Sequence, residues 1–427
     1  MTSPDTRPTP PLGDELLLDC DAAGTLPTPR RPHEGRQRLL LLAVLVLVAI
    51  NLRPALSSLA PVLKAVQEGL GLSASHIGLL TTLPVLCFGV FGPLAPKLAR
   101  RFGSERMVEA MLLFLAVGIV LRAFGSAGLF AGTLIAGASI GVVNVLLPGI
   151  LKRDFANNAD RITGIYTMAL SLGAALAAGL TVPIQEWSGS WRIALAFWAL
   201  PALLAALAWW PWQRGRHSAQ PLPAKSPSLL HDALAWQVTL YMGLQSSLAY
   251  CVFGWLPAIL QDRGLTALQA GFSLSVSVLI QLITALGAPL LANAHVRRGG
   301  DQRATIALML ALTLSGLLGC LFAPVSTLWL WITLLGLGQG GTFSMALALI
   351  VLRSRDAQTA ARLSGMVQGL GYSLAALGPF AVGLLHELTG NWSALGLLFT
   401  LITAAALFSG LAAGRHGFVL QQSRINP

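Results

Sequence analysis

One residue in the chain sits where its chemistry is expensive. Arg53 lies in the stretch AINLRPALSS, residues 49–58, toward the end of an apolar run that opens LLLLAVLVLVAI at Leu39. Fourteen residues at 1.5 Å each carry it about 21 Å into a hydrocarbon layer about 30 Å thick. A guanidinium near the centre of a membrane helix costs roughly 2.5–3.5 kcal/mol on insertion scales, so something must offset it. Snorkelling to the interface is one offset. An internal ion pair is a second, but no acid lies at matching depth: Glu109 is within one turn of Arg106 at the end of a span, and Glu68, Glu186, Asp262 and Glu387 belong to loops or helix ends. The third is an anion bound from solution in a wet cavity, which suits the planar, bidentate fork of arginine. Arg53 is therefore read as an anion anchor. Pro54 removes a backbone donor and bends the helix, which turns the side chain toward such a cavity.

Further polar residues recur at i, i+4 spacing within apolar segments and so share helix faces. Ser364, Gln368 and Tyr372 form one ladder, Ser273, Ser277 and Gln281 a second, and Tyr241 and Gln245 a third with Tyr250 beyond. Asn51 and Ser57 flank Arg53, and Asn144, Tyr166 and Gln339 are single polar residues in other spans. Amides and phenols both donate and accept, as a hydrogen-bonding cage for a small planar solute requires. The candidate substrate-binding set is Arg53, Asn51, Ser57, Asn144, Tyr166, Tyr241, Gln245, Tyr250, Gln281, Gln339, Gln368 and Tyr372. Each has a plainer use, since Ser and Gln also hold membrane helices together. Trp255, beside Pro257, reads as an interfacial belt residue.

Other chemistries find no support. GLGQGG, Gly336–Gly341, fits G-x-G-x-x-G but lies inside an apolar span with no strand before it, so close helix packing explains it, as it does Gly137-x-x-x-Gly141 and Gly365-x-x-x-Gly369. No P-loop, zinc spacing or nucleophile elbow appears, so neither an enzyme, a metal site nor a cofactor is expected. Cys20, Cys87, Cys251 and Cys320 have no metal or redox spacing. His76, His231, His295 and His386 fall near helix ends or in loops.

The elements that must position these residues are membrane helices. The chain of 427 residues is 55% hydrophobic and only 11% charged, against about 25% charged in a soluble domain. Twelve spans are expected near 39–62, 76–98, 106–124, 128–151, 162–185, 192–212, 234–260, 267–294, 304–323, 327–352, 361–386 and 393–413. The run lengths exclude a β-barrel. The formal charge of +11 is spread in short clusters between spans, with no basic stripe for nucleic acid. Twenty-three Lys and Arg fall on one side of this topology and four (Lys64, Arg122, Arg192, Arg263) on the other, Arg53 aside. By the positive-inside rule both termini are cytoplasmic, in a bacterial-type inner membrane. Residues 1–36 form a Pro-, Thr- and Asp-containing tail read as disordered rather than as a cleaved signal.

The sequence also repeats at an offset near 200. RRFGSER (Arg100–Arg106) matches RRGGDQR (Arg297–Arg303), LSASHIG (Leu72–Gly78) matches LTALQAG (Leu265–Gly271), RITG (Arg161–Gly164) matches RLSG (Arg362–Gly365), and EWSGSW (Glu186–Trp191) matches ELTGNW (Glu387–Trp392). The expectation is an all-α polytopic membrane protein of twelve transmembrane helices in two six-helix bundles, 37–212 and 234–414. A cytoplasmic linker, 213–233, joins them and a C-tail, 415–427, follows. A solute site at the midplane between the halves would be exposed to each side in turn.

This architecture resembles the major facilitator superfamily over residues 37–415. PKLARRFGSER, Pro96–Arg106, is similar to that family's loop signature at Leu98, Ala99, Arg101 and Gly103. It departs where Pro96 replaces Gly and Arg100 replaces Asp, so the usual charge latch would fall to Arg101 or Arg106 with acids on a neighbouring helix. NLRPALSSLAPVL (Asn51–Leu63), NVLLPGILKRDF (Asn144–Phe155), LQSSLAYCVFGWLPAIL (Leu244–Leu260) and GLGYSLAALGPF (Gly369–Phe380) resemble the cyanate and 2-nitroimidazole transporter group. The resemblance implies a secondary transporter of a cyanate-like anion or small planar nitrogen compound. The alternative is a multidrug or metabolite exporter of the same fold, whose cationic substrates would sit badly beside Arg53. The expected partners are a small-molecule solute and the bilayer, with the chain acting as a monomer.

Overall fold

The computed structural model describes residues 32–155, 159–213, 228–297 and 299–420. The tail at 1–31 and linker residues 214–227 lie outside them. The chain separates into a short unit ending at Ala43 and a body that begins at Val44 and holds every contact described below.

The described residues are helical throughout, with no strand. Eleven helical runs among them are long and apolar enough to cross a membrane. The twelfth expected span, 106–124, is present as α6 (Ser104–Leu121), but its first two turns carry Glu105, Arg106 and Glu109, which shortens its apolar stretch. The first crossing is broken by its prolines. Helix α1 (Pro32–Asn51) starts before the expected residue 37 and stops ahead of Pro54; α2 (Pro54–Ser57) and α3 (Leu63–Leu70) follow. Pro54 cannot donate to Ile50, and the Leu52 amide instead closes a tighter turn on the Ala49 carbonyl at 3.2 Å.

The remaining helices are α4 (Ala74–Phe91), α5 (Ala95–Phe102), α7 (Gly125–Asp154), α8 (Ala159–Ser188), α9 (Trp191–Phe197) and α10 (Ala199–Trp209) in the first part of the sequence. In the second part they are α11 (Ala233–Asp262), α12 (Ala267–Arg297), α13 (Arg303–Phe322), α14 (Leu328–Leu352), α15 (Ala357–Ala375), α16 (Leu377–Thr389) and α17 (Ser393–Ala413). Helices from the two parts pack directly: α4 on α15 and α16, and α8 on α12. Glycine makes these approaches close. A Cβ at Gly89 would lie 2.8 Å from the Gly369 carbonyl, and one at Gly78 3.2 Å from the Phe380 carbonyl. The glycines of 336–341 do the packing expected of them, with Gly336 and Gly340 against α12 and Gly338 against α13. Gly137 and Gly141 pack on α4, whereas a Cβ at Gly365 would meet open space.

At the arginine-poor face the two parts are tied by polar contacts. Lys64 pairs with Asp262, the Ser75 amide donates to Glu387 at 2.6 Å, and Gln261 donates to the Pro61 carbonyl at 3.2 Å. Trp392 donates to Asp262 at 2.8 Å and stacks on His386 at 3.7 Å. Trp255 is not a belt residue: it is buried and donates to the Pro379 carbonyl at 3.0 Å.

The arginine-rich face holds a repeated latch in two chemistries. Arg153, at the end of α7, pairs with Glu105 at the start of α6 at 2.6 Å. At the corresponding places near the offset of 200, Arg353 donates to the neutral Gln302 at 2.6 Å and to the Ala413 carbonyl at 2.8 Å. The latch in the first half therefore uses Arg153 rather than Arg101 or Arg106; Arg101 stacks over Phe102 instead. The start of the C-tail folds back here, Val419 donating to the Arg353 carbonyl at 2.9 Å.

Candidate functional site

Arg53 occupies the break in the first crossing. It is the residue before α2, and its carbonyl accepts from the Leu56 amide at 3.0 Å, the Ser57 amide at 3.1 Å and the Ser57 hydroxyl at 3.1 Å. This pins the backbone and leaves the half-buried side chain to reach across the molecule. Its guanidinium lies in the electrostatic neighbourhood of three phenols, Tyr250 foremost, then Tyr372 and Tyr166. Tyr250 and Tyr372 are themselves ring neighbours. Three of the four tyrosines in the chain thus converge on one arginine.

Each tyrosine is delivered by a close helix approach. Tyr166 and Gly173 are seven residues apart on α8, on one face. A Cβ at Gly173 would overlap the Ile50 carbonyl oxygen, the group that Pro54 leaves without its usual donor. Gly243 of α11 lies against the Gly371 carbonyl of α15, next to Tyr372. Gly89 of α4 brings Phe88 into the group. Phe88 stands 5.9 Å from Tyr372 at 73° and 6.1 Å from Tyr250 at 59°, while Tyr250 and Tyr372 are 6.1 Å apart at 70°. The result is a cationic head in an aromatic box. A ligand that takes the guanidinium's donors gains about 1.5–3 kcal/mol for a charge-assisted hydrogen bond, comparable to the insertion cost. Among the described residues no carboxylate pairs with Arg53; the ion pairs lie at Lys64–Asp262, Arg153–Glu105, Arg153–Asp154 and Arg303–Asp301.

The other candidates are distributed more widely. Gln281 donates to Gln339 at 3.0 Å, joining α12 to α14. The Gln245 amide donates to Ser246 at 2.7 Å and to the Met242 carbonyl at 3.1 Å, and its oxygen is buried without a partner. Gln368 donates to Ser364 at 2.8 Å, Asn51 to the Leu47 carbonyl at 2.8 Å, and Ser57 to Arg53 as above. Asn144 is half-buried on α7. Tyr241 is fully buried against the Thr342 carbonyl at 3.2 Å, nine residues or about 13 Å from Tyr250 along α11.

Two residues escaped the sequence reading. Phe88 carried no signal beyond being aromatic in an apolar run. Arg122 lies in the turn after α6, on the arginine-poor side as expected, yet it is 1% exposed and donates to the Ala55 carbonyl in α2 at 2.8 Å. The signal was there: α6 is charged as far as Glu109, and thirteen residues on, about 20 Å, is still inside a 30 Å layer.

A helical membrane bundle with its polar groups gathered at a break in one crossing is the form of a solute transporter. Residues 39–376 match the family model of the Major Facilitator Superfamily, and the chain belongs to that family. It is 38% identical to the 2-nitroimidazole transporter of Escherichia coli over 89% of this chain and 97% of that one. It is likewise 38% identical to the transporter YycB of Bacillus subtilis, over 92% and 98%. With the cyanate transport protein CynX of Escherichia coli it shares 33% over 82% and 91%. Among solved structures, a D-xylose–proton symporter superposes with a TM-score of 0.72 over 89% of this chain and 98% of that one, at 14% identity. The nucleoside transporter NupG gives 0.71 over 88% and 100%, also at 14%. The chain is thus a multi-pass membrane transporter of a bacterial family, not an enzyme.

Proposed function

We propose that this chain moves a small anionic or planar polar solute by alternating access, with Arg53 as the charge anchor and Tyr166, Tyr250 and Tyr372 orienting the ligand. The observation that carries the reading is the convergence of three phenols and no carboxylate on one guanidinium in the bundle interior. Such a site offers several N–H donors to delocalised negative charge and flat apolar walls to whatever the charge is attached to. A linear monoanion such as cyanate suits the donors, and a nitro group on a flat heterocycle suits donors and walls together. These are the solutes for which two relatives are named. The bundles 37–212 and 234–414 would rock about this site, the arginine-rich face lying in the cytoplasm with both termini and the chain working as a monomer. Gln245, with a buried oxygen to spare, is a reserve of acceptor chemistry on the Tyr250 helix.

The test is uptake of labelled cyanate and of 2-nitroimidazole by purified protein in liposomes. Arg53→Ala is expected to cut the rate at least tenfold while the protein elutes and melts as the parent does. Arg53→Lys keeps the charge but not the fork and is expected to fall between. Parental uptake by folded Arg53→Ala would overturn the reading.

A further inference from the structure

We propose a second site, for a small monovalent anion, at Arg122. This guanidinium is 1% exposed, and of its groups one Nη donates to Ala55; Nε and the other Nη have no protein partner. Arg122 is one of the residues lining a cavity of about 20 Å³, with Thr81, Thr133, Tyr250 and Phe253 among the others, enough for one water- or halide-sized group. The buried Thr133 hydroxyl, on the same wall, is likewise without a partner. A buried cation with two idle donors, a free hydroxyl beside it and no described carboxylate within ion-pair distance is a site of stated sign. The side chain is held there by construction: a Cβ at Gly132 would crowd its Cγ at 3.0 Å, so the stem lies flat on α7 and points inward from the α6–α7 corner.

The location adds a reason. Arg122 grips the carbonyl of Ala55, two residues after Arg53, and Tyr250 belongs both to the wall of the Arg122 cavity and to the Arg53 cluster. Two uncompensated cations thus share one short element and one tyrosine. An anion at Arg122 lowers the repulsion between them. Arg122 caps the arginine-poor end of α6, so the same position suits a passing transported anion and a resident halide.

The probe is bromide. Crystals of the full chain grown in sodium bromide are expected to give an anomalous peak within hydrogen-bonding distance of Nε or Nη of Arg122. Absence of that peak overturns the proposal, whatever is found at Arg53. In solution, bromide is expected to raise the melting temperature of the parent protein and of Arg53→Ala, but not of Arg122→Gln, which keeps a donor for Ala55 and drops the charge. A shift that survives in Arg122→Gln and is lost in Arg53→Ala would overturn the second site and leave the first standing. Should Arg122→Gln not fold, the diffraction result decides alone. Cyanate that displaces the bromide peak marks a station on the transport path; cyanate that leaves it marks a resident counter-ion.

Discussion

At the scale of single residues, the phenols around Arg53 make a sharp expectation. Tyr250→Phe and Tyr372→Phe keep the aromatic box and remove one hydroxyl each. A lost hydrogen bond to a charged partner of about 1.5–3 kcal/mol corresponds to a ten- to hundredfold rise in the KM for an anion, with Tyr250, the phenol most strongly coupled to the guanidinium, giving the larger effect. Tyr241→Phe, whose hydroxyl meets only the Thr342 carbonyl, is expected to leave KM within twofold. Uptake at varied solute concentration reads all three. The sequence made Arg53 conspicuous because its cost can be counted from spacing alone. It could not rank the tyrosines: which of four phenols meets the arginine depends on helix rotation, and i, i+4 spacing fixes a face without saying which neighbour that face meets. The place of Arg122 after α6 was legible, but a cation in a turn reads first as solvated, and its burial depends on α2 and α7 closing over it.

At the scale of elements, the site depends on helices that touch backbone to backbone. Gly173→Ala places a methyl on the Ile50 carbonyl and is expected to destabilise the protein by about 1–3 kcal/mol, lowering its melting temperature and loosening Tyr166. Gly164→Ala, on the same helix with nothing within 4 Å of its new Cβ, is expected to be neutral or stabilising. The order of melting temperatures, measured in one detergent, checks the pair. Pro54→Ala would restore a donor for Ile50 and let α1 run on into α2, turning Arg53 away from Tyr250; transport should fall while helix content holds. The break at Pro54 was legible because proline's missing donor acts locally. The small-residue contacts were legible as a class only: Gly336–Gly341 packs as expected and Gly365 does not, because a glycine earns its place only where another backbone arrives.

At the scale of the whole molecule, helix number and the internal repeat follow from the sequence, since both rest on long apolar runs and on short motifs in register. What the sequence left open was which loops meet across the two parts. Lys64 and Asp262 are over 190 positions apart, and only the assembled bundles bring them together. If access alternates as proposed, that contact must open once per cycle. Lys64→Cys with Asp262→Cys, oxidised, is expected to stop uptake, and reductant to restore it; uptake unaffected by a verified cross-link would refute opening at that face.

The two latches on the opposite face have unequal characters. Arg153 meets a carboxylate and is one-third exposed, whereas Arg353 meets an amide and is buried. Dissolved electrolyte screens the former, over a Debye length of about 8 Å at physiological strength, and has little purchase on the latter. Concentrated salt should therefore quicken amide exchange where the start of α6 meets the end of α7 and leave the matching end of α13 and α14 untouched, so that two similar bundles acquire one end that responds to ionic strength and one that does not.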